Sequence, residues 1–272
     1  MKWIIQKRLY NQEAFDKFIA ALHEHDIDFE VVTVVPFSNQ LIPEPIVPDN
    51  KAIVFGANTM CEIAKLRGWI PAVFLNENFN YQELVRELGS LVINHDAKFS
   101  TFGRINIDRP MFIRPVHDTK AFAGAIFDPD KFKEWQDATA GLASSGFTTL
   151  RPETWCLVAE PKEIYQEFRF FIVDGKISTS SYYAFAGRLD TKNLEVAPFV
   201  TEFVNSIIAN YRPADAFVLD VALYYDEDNF RIGEPVKLGV VEINSISGAA
   251  FYNADVSKLV HDLDLLLNKY EN

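Results

Sequence analysis

Apolar and polar positions alternate between two rhythms in the first third of the chain. Trp3–Arg8 (Trp-Ile-Ile-Gln-Lys-Arg) suits a strand. From Ala14 to Leu22 the apolar residues fall at Phe15, Phe18, Ile19 and Leu22, which is helical spacing, and Asn11 stands where an N-cap is needed. Phe29–Val35 is rich in β-branched residues and stops at Pro36, so it reads as a strand. Residues 36–50 hold four prolines and read as a long loop. Ala52–Phe55 is a buried strand, Asn58–Arg67 a helix closed by Gly68, Ala72–Leu75 another short strand, and Tyr81–Leu88 a helix. Strands separated by helices imply a parallel sheet. This part of the chain has no Gly-x-Gly-x-x-Gly turn, hence no dinucleotide fingerprint.

The rhythm then changes. Met111–Pro115 is a strand ending in a proline turn, Asp130–Ala138 a short helix, and Thr154–Ala159 a strand that stops at Glu160-Pro161. Phe168–Val173 and Lys176–Tyr183 are strands joined by Asp174-Gly175, a dipeptide suited to a type I′ hairpin. An antiparallel pair of this kind does not belong to a simple doubly wound sheet. The last third predicts a helix over Ala197–Ala209, a strand over Ala216–Tyr225, an acidic turn at Asp226–Asn229, a strand over Val236–Ile243 and a helix over Val256–Lys269. The chain has neither internal repeats nor a low-complexity tract.

Composition narrows the class. The 272 residues are 49% hydrophobic, enough for a sizeable core and against disorder. The longest apolar runs, such as Phe217–Leu223, fall far short of a membrane span, and the N-terminus lacks a secretory pattern, so the expectation is a cytoplasmic protein without membrane contact. Cys61 and Cys156 lie far apart, show no metal spacing and read as buried thiols. With 38 acidic against 26 basic residues the formal charge is −12, which argues against a broad nucleic-acid-binding surface but leaves room for a small basic pocket.

Candidate chemistry concentrates in the C-terminal strand pair. Asp220 interrupts the apolar run Val218–Ala222, and Glu242 and Asn244 close the run Val240–Asn244. Residues two apart on a strand share a face, so Glu242 and Asn244 project together, and Asp220 joins them if the strands pair antiparallel. Two carboxylates and an amide oxygen make a hard-cation donor set of the kind magnesium prefers. A carboxylate in a buried strand costs several kcal/mol unless it is paired or metal-bound. The competing role for Asp220 is an ion pair with an Arg or Lys, and for Asn244 a turn cap before Ser245. A second, cationic group comprises Arg114 at a strand end and Lys120 in a short glycine-containing loop, both suited to polyphosphate oxygens. His117 in that loop reads as a surface residue. A third group surrounds the strand end at Ala159. There the backbone near Val158 and Glu160 can meet a purine edge, and the Glu160 side chain can reach its amino group. Glu167 and Arg169 place an acid and a base on one strand face, and Arg169 and Arg188 are candidates for γ-phosphate or substrate carboxylate.

In that order, from about Arg109 to Tyr252, these residues resemble the ATP-grasp superfamily, in particular a bacterial and phage branch of it. The strand Ile113-Arg114-Pro115, the hinge and strand from Leu157 to Arg169, and the Asp220…Glu242-x-Asn244 pattern carry the likeness. The segment Glu167–Lys176 resembles a strand pair of ribosomal-protein glutamate ligase relatives. Most members have Lys where Arg114 stands, and the ending Asn244-Ser-Ile-Ser-Gly248 departs from the family's Asn-Pro type. The resemblance implies an α+β ATP-grasp fold preceded by a small parallel α/β lobe. Its boundaries would be 1–100 for the lobe and 101–272 for the ATP-grasp domain, the latter with a hinge part near 110–190 and a metal-binding part near 191–272. It further implies ATP held between two α+β subdomains by Arg114, Lys120, Val158, Glu160 and Glu167, with Mg2+ on Asp220, Glu242 and Asn244. Arg169 and Arg188 would be catalytic, and the reaction an amide ligation through an acylphosphate, with small-molecule or peptide carboxylate and amine as partners. A kinase-type phosphotransferase and a nucleotide-binding module without turnover are the other activities such a scaffold supports. Similar proteins are commonly dimers, so a homodimer is the associated expectation.

Overall fold

A computed structural model describes residues 1–36, 38–74, 79–117, 121–142, 150–190, 192, 194–225 and 236–270. The expected strand end at Leu75, Lys120 and the acidic turn 226–229 lie outside the described residues. The chain divides into two compact units. One comprises Met1–Asn76, Gln166–Val221 and Ile243–Asn272, the other Glu77–Tyr165 and Ala222–Glu242.

In the first unit the opening residues build a sheet. Strand β1 (Lys2–Gln6) runs parallel to β2 (Phe29–Val34) on one side and to β4 (Lys51–Phe55) on the other. The short strand β3 (Leu41–Ile42) pairs antiparallel with β2, and β5 (Ile70–Ala72) parallel with β4, giving the order β3-β2-β1-β4-β5. Period-two alternation sends Trp3, Ile5, Ile53 and Phe55 into one core and Ile4, Ala52 and Val54 into another. Helix α1 (Gln12–Glu24) supplies Phe18, Ala21 and Leu22 to the first core, and α2 (Asn58–Leu66) supplies Met60, Ile63 and Ala64 to the second. Both faces are therefore covered, which is why these strands read as continuous apolar runs. The Asn11 side chain accepts a 2.9 Å hydrogen bond from the Ala14 amide, the expected N-cap.

Two boundaries differ from the sequence reading. β1 ends at Gln6 rather than Arg8, because Arg8 takes φ 65 and leaves the extended region. The strand expected over 72–75 lies instead at Ile70–Ala72, where Ala72 at φ 59 ends it. Val73 and Phe74 are still buried, so their apolar character reported burial rather than strand.

The hairpin of β10 (Glu163–Val173) and β11 (Lys176–Phe185) follows the sequence closely. Asp174 and Gly175 both have positive φ, 51 and 72, as a type I′ turn requires. The two-residue strand β12 (Arg188–Leu189), β13 (Ala216–Tyr225) and β14 (Lys237–Asn244) complete a five-stranded sheet in the order β12-β11-β10-β13-β14. Helix α5 (Pro198–Asn210) precedes β13, and α6 (Val256–Leu267) buries Leu259, Val260 and Leu263 in the core that α1 shares.

In the second unit α3 (Tyr81–Leu88) is capped by Asn80, whose side chain accepts from the Glu83 amide at 2.9 Å. Four strands follow: β6 (Lys98–Thr101), β7 (Met111–Pro115), β8 (Ala125–Phe127) and β9 (Trp155–Ala159). They form an antiparallel sheet in the order β6-β9-β7-β8. Helix α4 (Pro129–Leu142), longer than the expected 130–138, brings Phe132 and Trp135 against Phe102, Phe122 and Phe127. Among the described residues no helix is long and apolar enough to cross a membrane.

Cys61 and Cys156 are free, buried thiols. Burial pushes Cys61 up to about 11 and Cys156 to about 12. The thiolate is the reactive form, so at pH 8 no more than about one Cys61 in a thousand is reactive, and fewer Cys156. Iodoacetamide at pH 8 is expected to leave the folded chain unmodified by intact mass and to add two groups in denaturant. Rapid modification of the folded chain at pH 8 would contradict this account of both sites.

Candidate functional site

The first unit holds a buried ionic pair. Every residue of β13 from Ala216 to Tyr224 is buried, and Asp220 is 1% exposed. A carboxylate there requires a compensating charge. Arg169, from β10, provides it: Nε donates to one carboxylate oxygen at 2.9 Å and Nη2 to the other at 2.7 Å. Nη1 donates to the Ala250 carbonyl at 3.2 Å. A guanidinium has five N–H donors, so two have no partner among the described residues. Burial opposes the charge on Arg169, but the Asp220 carboxylate outweighs it and holds the pKa above its ordinary value.

Two tyrosines enclose this arginine. The rings of Tyr183 on β11 and Tyr252 are stacked, with centroids 4.8 Å apart and planes 6° from parallel. The Arg169 guanidinium carbon is 5.4 Å from one ring centroid and 5.1 Å from the other, within cation–π range. The Tyr183 hydroxyl donates to Glu167 at 3.0 Å. Burial, reinforced by the Asp220 and Glu167 carboxylates, raises its pKa and keeps the phenol protonated. Glu167 and Arg169 thus both meet Tyr183 but do not pair with one another, and Arg169 takes Asp220 as its partner.

In the second unit Arg114, at the end of β7, forms a 2.7 Å ion pair with Glu242 on β14. Its guanidinium lies 5.4 Å from the Tyr81 ring centroid. Burial raises the Tyr81 phenol to about 12, against the lowering effect of Arg114. The Asn94 amide donates to the Tyr81 hydroxyl at 3.3 Å. The Asn94 side-chain oxygen is buried and without a partner among the described residues. Val158 lies within the ladder, opposite Lys98 on one side and Ile113 on the other, and Glu160 stands just past its end. Glu160 is ion-paired with Arg109.

The structure therefore couples Asp220 to Arg169 and Glu242 to Arg114, so each candidate acidic ligand sits against a candidate phosphate-binding arginine. Asn244 ends β14, and the turn after it is capped by Ser245, whose hydroxyl accepts from the Ser247 amide at 3.3 Å. Arg188, on β12, is exposed and has no ion pair among the described residues. His117 is exposed. Tyr81, Tyr183 and Tyr252 were not singled out by the sequence. Nothing local marks Tyr183 within β11, and nothing marks Tyr252, which lies in a loop.

Several solved structures are similar to the chain over nearly the full length of both. The RimK domain ATP-grasp protein from Sphaerobacter thermophilus is 12% identical at a TM-score of 0.63, covering 97% of this chain and 100% of that one. D-alanine–D-alanine ligase from Bacillus anthracis is 13% identical at 0.58, with coverage of 99% and 98%. The ATP-grasp ligase PsnB, in complex with a minimal precursor, Mg and ADP, is 10% identical at 0.53, with coverage of 98% and 97%. Identities this low speak for the fold. No curated protein matches the chain in sequence. The ATP-grasp domain, R2K clade family 2, matches residues 94–261, more than half of the chain, and the chain belongs to that family.

Proposed function

We propose that the chain is an ATP- and Mg-dependent ligase that joins a carboxylate to an amine through an acylphosphate. Membership of the ATP-grasp family supports nucleotide binding, and the ligases among the similar folds support the reaction class. The observation that carries the reading is Arg169. It is a buried guanidinium, fixed on three sides by Asp220 and the Ala250 carbonyl and flanked by two aromatic rings, with two N–H donors left for an anion. A positioned cation of this kind stabilises charge on a transferring phosphoryl group without reorganising.

The donor set fits the metal. Asp220, Glu242 and Asn244 offer only oxygens, and a carboxylate oxygen already accepting from an arginine keeps a second lone pair for a cation. Among the described residues no group of three or more His, Cys, Asp and Glu side chains could hold a metal ion. Asp220, Glu242 and Asn244 are the residues that would hold a magnesium ion through their oxygens. When bound it neutralises phosphate charge. The chain's own residues do the rest. Arg114 and Lys120 hold phosphate oxygens, Val158, Glu160 and Glu167 contribute to the nucleotide pocket, and Arg169 with Arg188 holds the reacting groups. The substrate carboxylate oxygen attacks the γ-phosphorus and ADP leaves. The amine nitrogen then attacks the acyl carbon and phosphate departs, because phosphate is a far better leaving group than oxide. Residues 101–272 form the ATP-grasp domain in this reading, residues 1–100 the lobe before it, and the protein works in the cytoplasm.

The test is amine dependence. The chain is incubated with Mg-ATP, carboxylates and an amino-acid or peptide library, and ADP and new amides are followed by mass spectrometry. ADP that forms only when an amine is present, together with a new amide, is the expected result. ADP release indifferent to amines would replace the ligase with a phosphotransferase. Calorimetric Mg-ATP binding without ADP production across broad pools would replace it with a binding module.

A further inference from the structure

The order β3-β2-β1-β4-β5 contains a topological switch. From β1 the chain passes through α1 to β2 on one side, and later returns to place β4 on the other side, with α2 on the opposite face. In open parallel sheets ligands bind in the crevice beyond the carboxyl ends of the strands at such a point. Here that point is between Gln6 at the end of β1 and Gly56 at the end of β4. The two ends are tied by a 2.8 Å hydrogen bond from the Ala57 amide to the Gln6 side-chain oxygen.

The chemistry at this point is cationic, in a chain of net charge −12. Lys7 and Arg8 follow Gln6, both exposed, and neither side chain has a hydrogen bond or ion pair among the described residues. Helix α2 begins directly after Gly56 with Ala57 as its N-cap, a residue with no side-chain acceptor. The amides of Asn58, Thr59 and Met60 therefore have no intrahelical acceptor and no cap. Independently of the helix, Ser247 is fully buried and its hydroxyl has no partner among the described residues. Its carbonyl accepts from the Gly56 amide at 3.0 Å, which fixes Ser247 beside this strand end. A buried hydroxyl without a partner is costly enough to be uncommon in native structures.

We propose that this switch point binds an anionic group of the substrate, a carboxylate or a phosphate. The α2 amides would donate to its oxygens, Lys7 and Arg8 would neutralise its charge, and the Ser247 hydroxyl would complete the set. The assignment of that anion to the substrate rests on the ligase reading, and the binding itself does not. Helix N-termini with nearby cations suit such a group. The two cations concentrate attraction where the chain as a whole repels anions.

The full chain, labelled with nitrogen-15 and free of ATP, is titrated with sodium succinate and, separately, with inorganic phosphate, against sodium chloride at equal ionic strength. Saturable shifts at the amides of residues 58–60 and 247 are expected with at least one of the two anions and not with chloride. The double variant K7Q/R8Q is expected to weaken that binding about tenfold. The anion that binds more tightly identifies the group. Absent or unsaturable shifts with both anions, or full affinity in K7Q/R8Q, would overturn the site. If the shifts occur but no amide ever forms, the site stands and the ligase reading falls. If amide forms and K7Q/R8Q leaves the substrate KM unchanged, the ligase reading stands and the assignment of the anion to the substrate is overturned.

Discussion

Asp220→Ala is expected to lower the melting temperature by on the order of 10 °C and to abolish ADP formation. The first effect follows from burial. Asp220 is 1% exposed and Arg169 8%, and the two share both carboxylate oxygens. Removing one member of a buried pair leaves the other charge uncompensated, at about 3–5 kcal/mol. In a chain of this size each kcal/mol moves the midpoint by roughly 2–4 °C. The cation–π contacts with Tyr183 and Tyr252 offset only part of that loss, about 1–2 kcal/mol each at most. Replacing both members by apolar residues, as in Arg169→Met with Asp220→Leu, removes the orphaned charge and is expected to restore much of the midpoint. It leaves ADP formation absent. Calorimetric scans of the single and double variants decide the matter. A midpoint within about 3 °C of the parent for Asp220→Ala, near one kcal/mol by the same scaling, would show that the pair is not the compensated buried charge its geometry describes.

That pair also marks where the sequence stops being legible. The isolated signals were local and held: Asn11 as a cap, Asp174-Gly175 as a hairpin turn, and the apolar run of β13 broken by one acid. Each depends on neighbours within a few residues, so spacing reveals it. The choice of Arg169 as the partner of Asp220 crosses 51 residues and depends on β10 lying beside β13. Spacing left open an ion pair for Asp220 and a phosphate role for Arg169, and nothing in it connects them. The same holds for Arg114 and Glu242. The short strands β3, β8 and β12 were invisible because two or three residues show no period, and they exist through pairing with a longer neighbour. The family likeness drawn from Arg109–Tyr252 lies within the region that the ATP-grasp domain matches, since it rested on a pattern that tolerates changes everywhere but at a few positions.

The second large effect separates chemistry from folding. Glu242→Gln keeps size and one acceptor oxygen but removes the negative charge a hard cation needs. The parent pair with Arg114 is partly solvated, its side chains 19% and 26% exposed, so its loss costs about 0–1 kcal/mol. The midpoint should therefore move by no more than about 4 °C. The reaction should respond very differently, because a metal stabilises transition-state charge by several kcal/mol. ADP formation at saturating ATP is expected to fall at least about 100-fold, equivalent to about 2.7 kcal/mol in the barrier. The magnesium concentration needed for half the residual rate should rise. Arg114 adds a sign to this argument. In the parent, Glu242 balances its charge beside Tyr81. In the variant Arg114 is a freer cation, so ATP binding measured without magnesium should hold or tighten while turnover collapses. Loss of ATP binding and turnover together would point to a nucleotide pocket that needs Glu242 for its shape. Unchanged turnover would remove Glu242 from the metal altogether. Only the divergence of the two measurements identifies the carboxylate as a ligand whose work is done after ATP is bound.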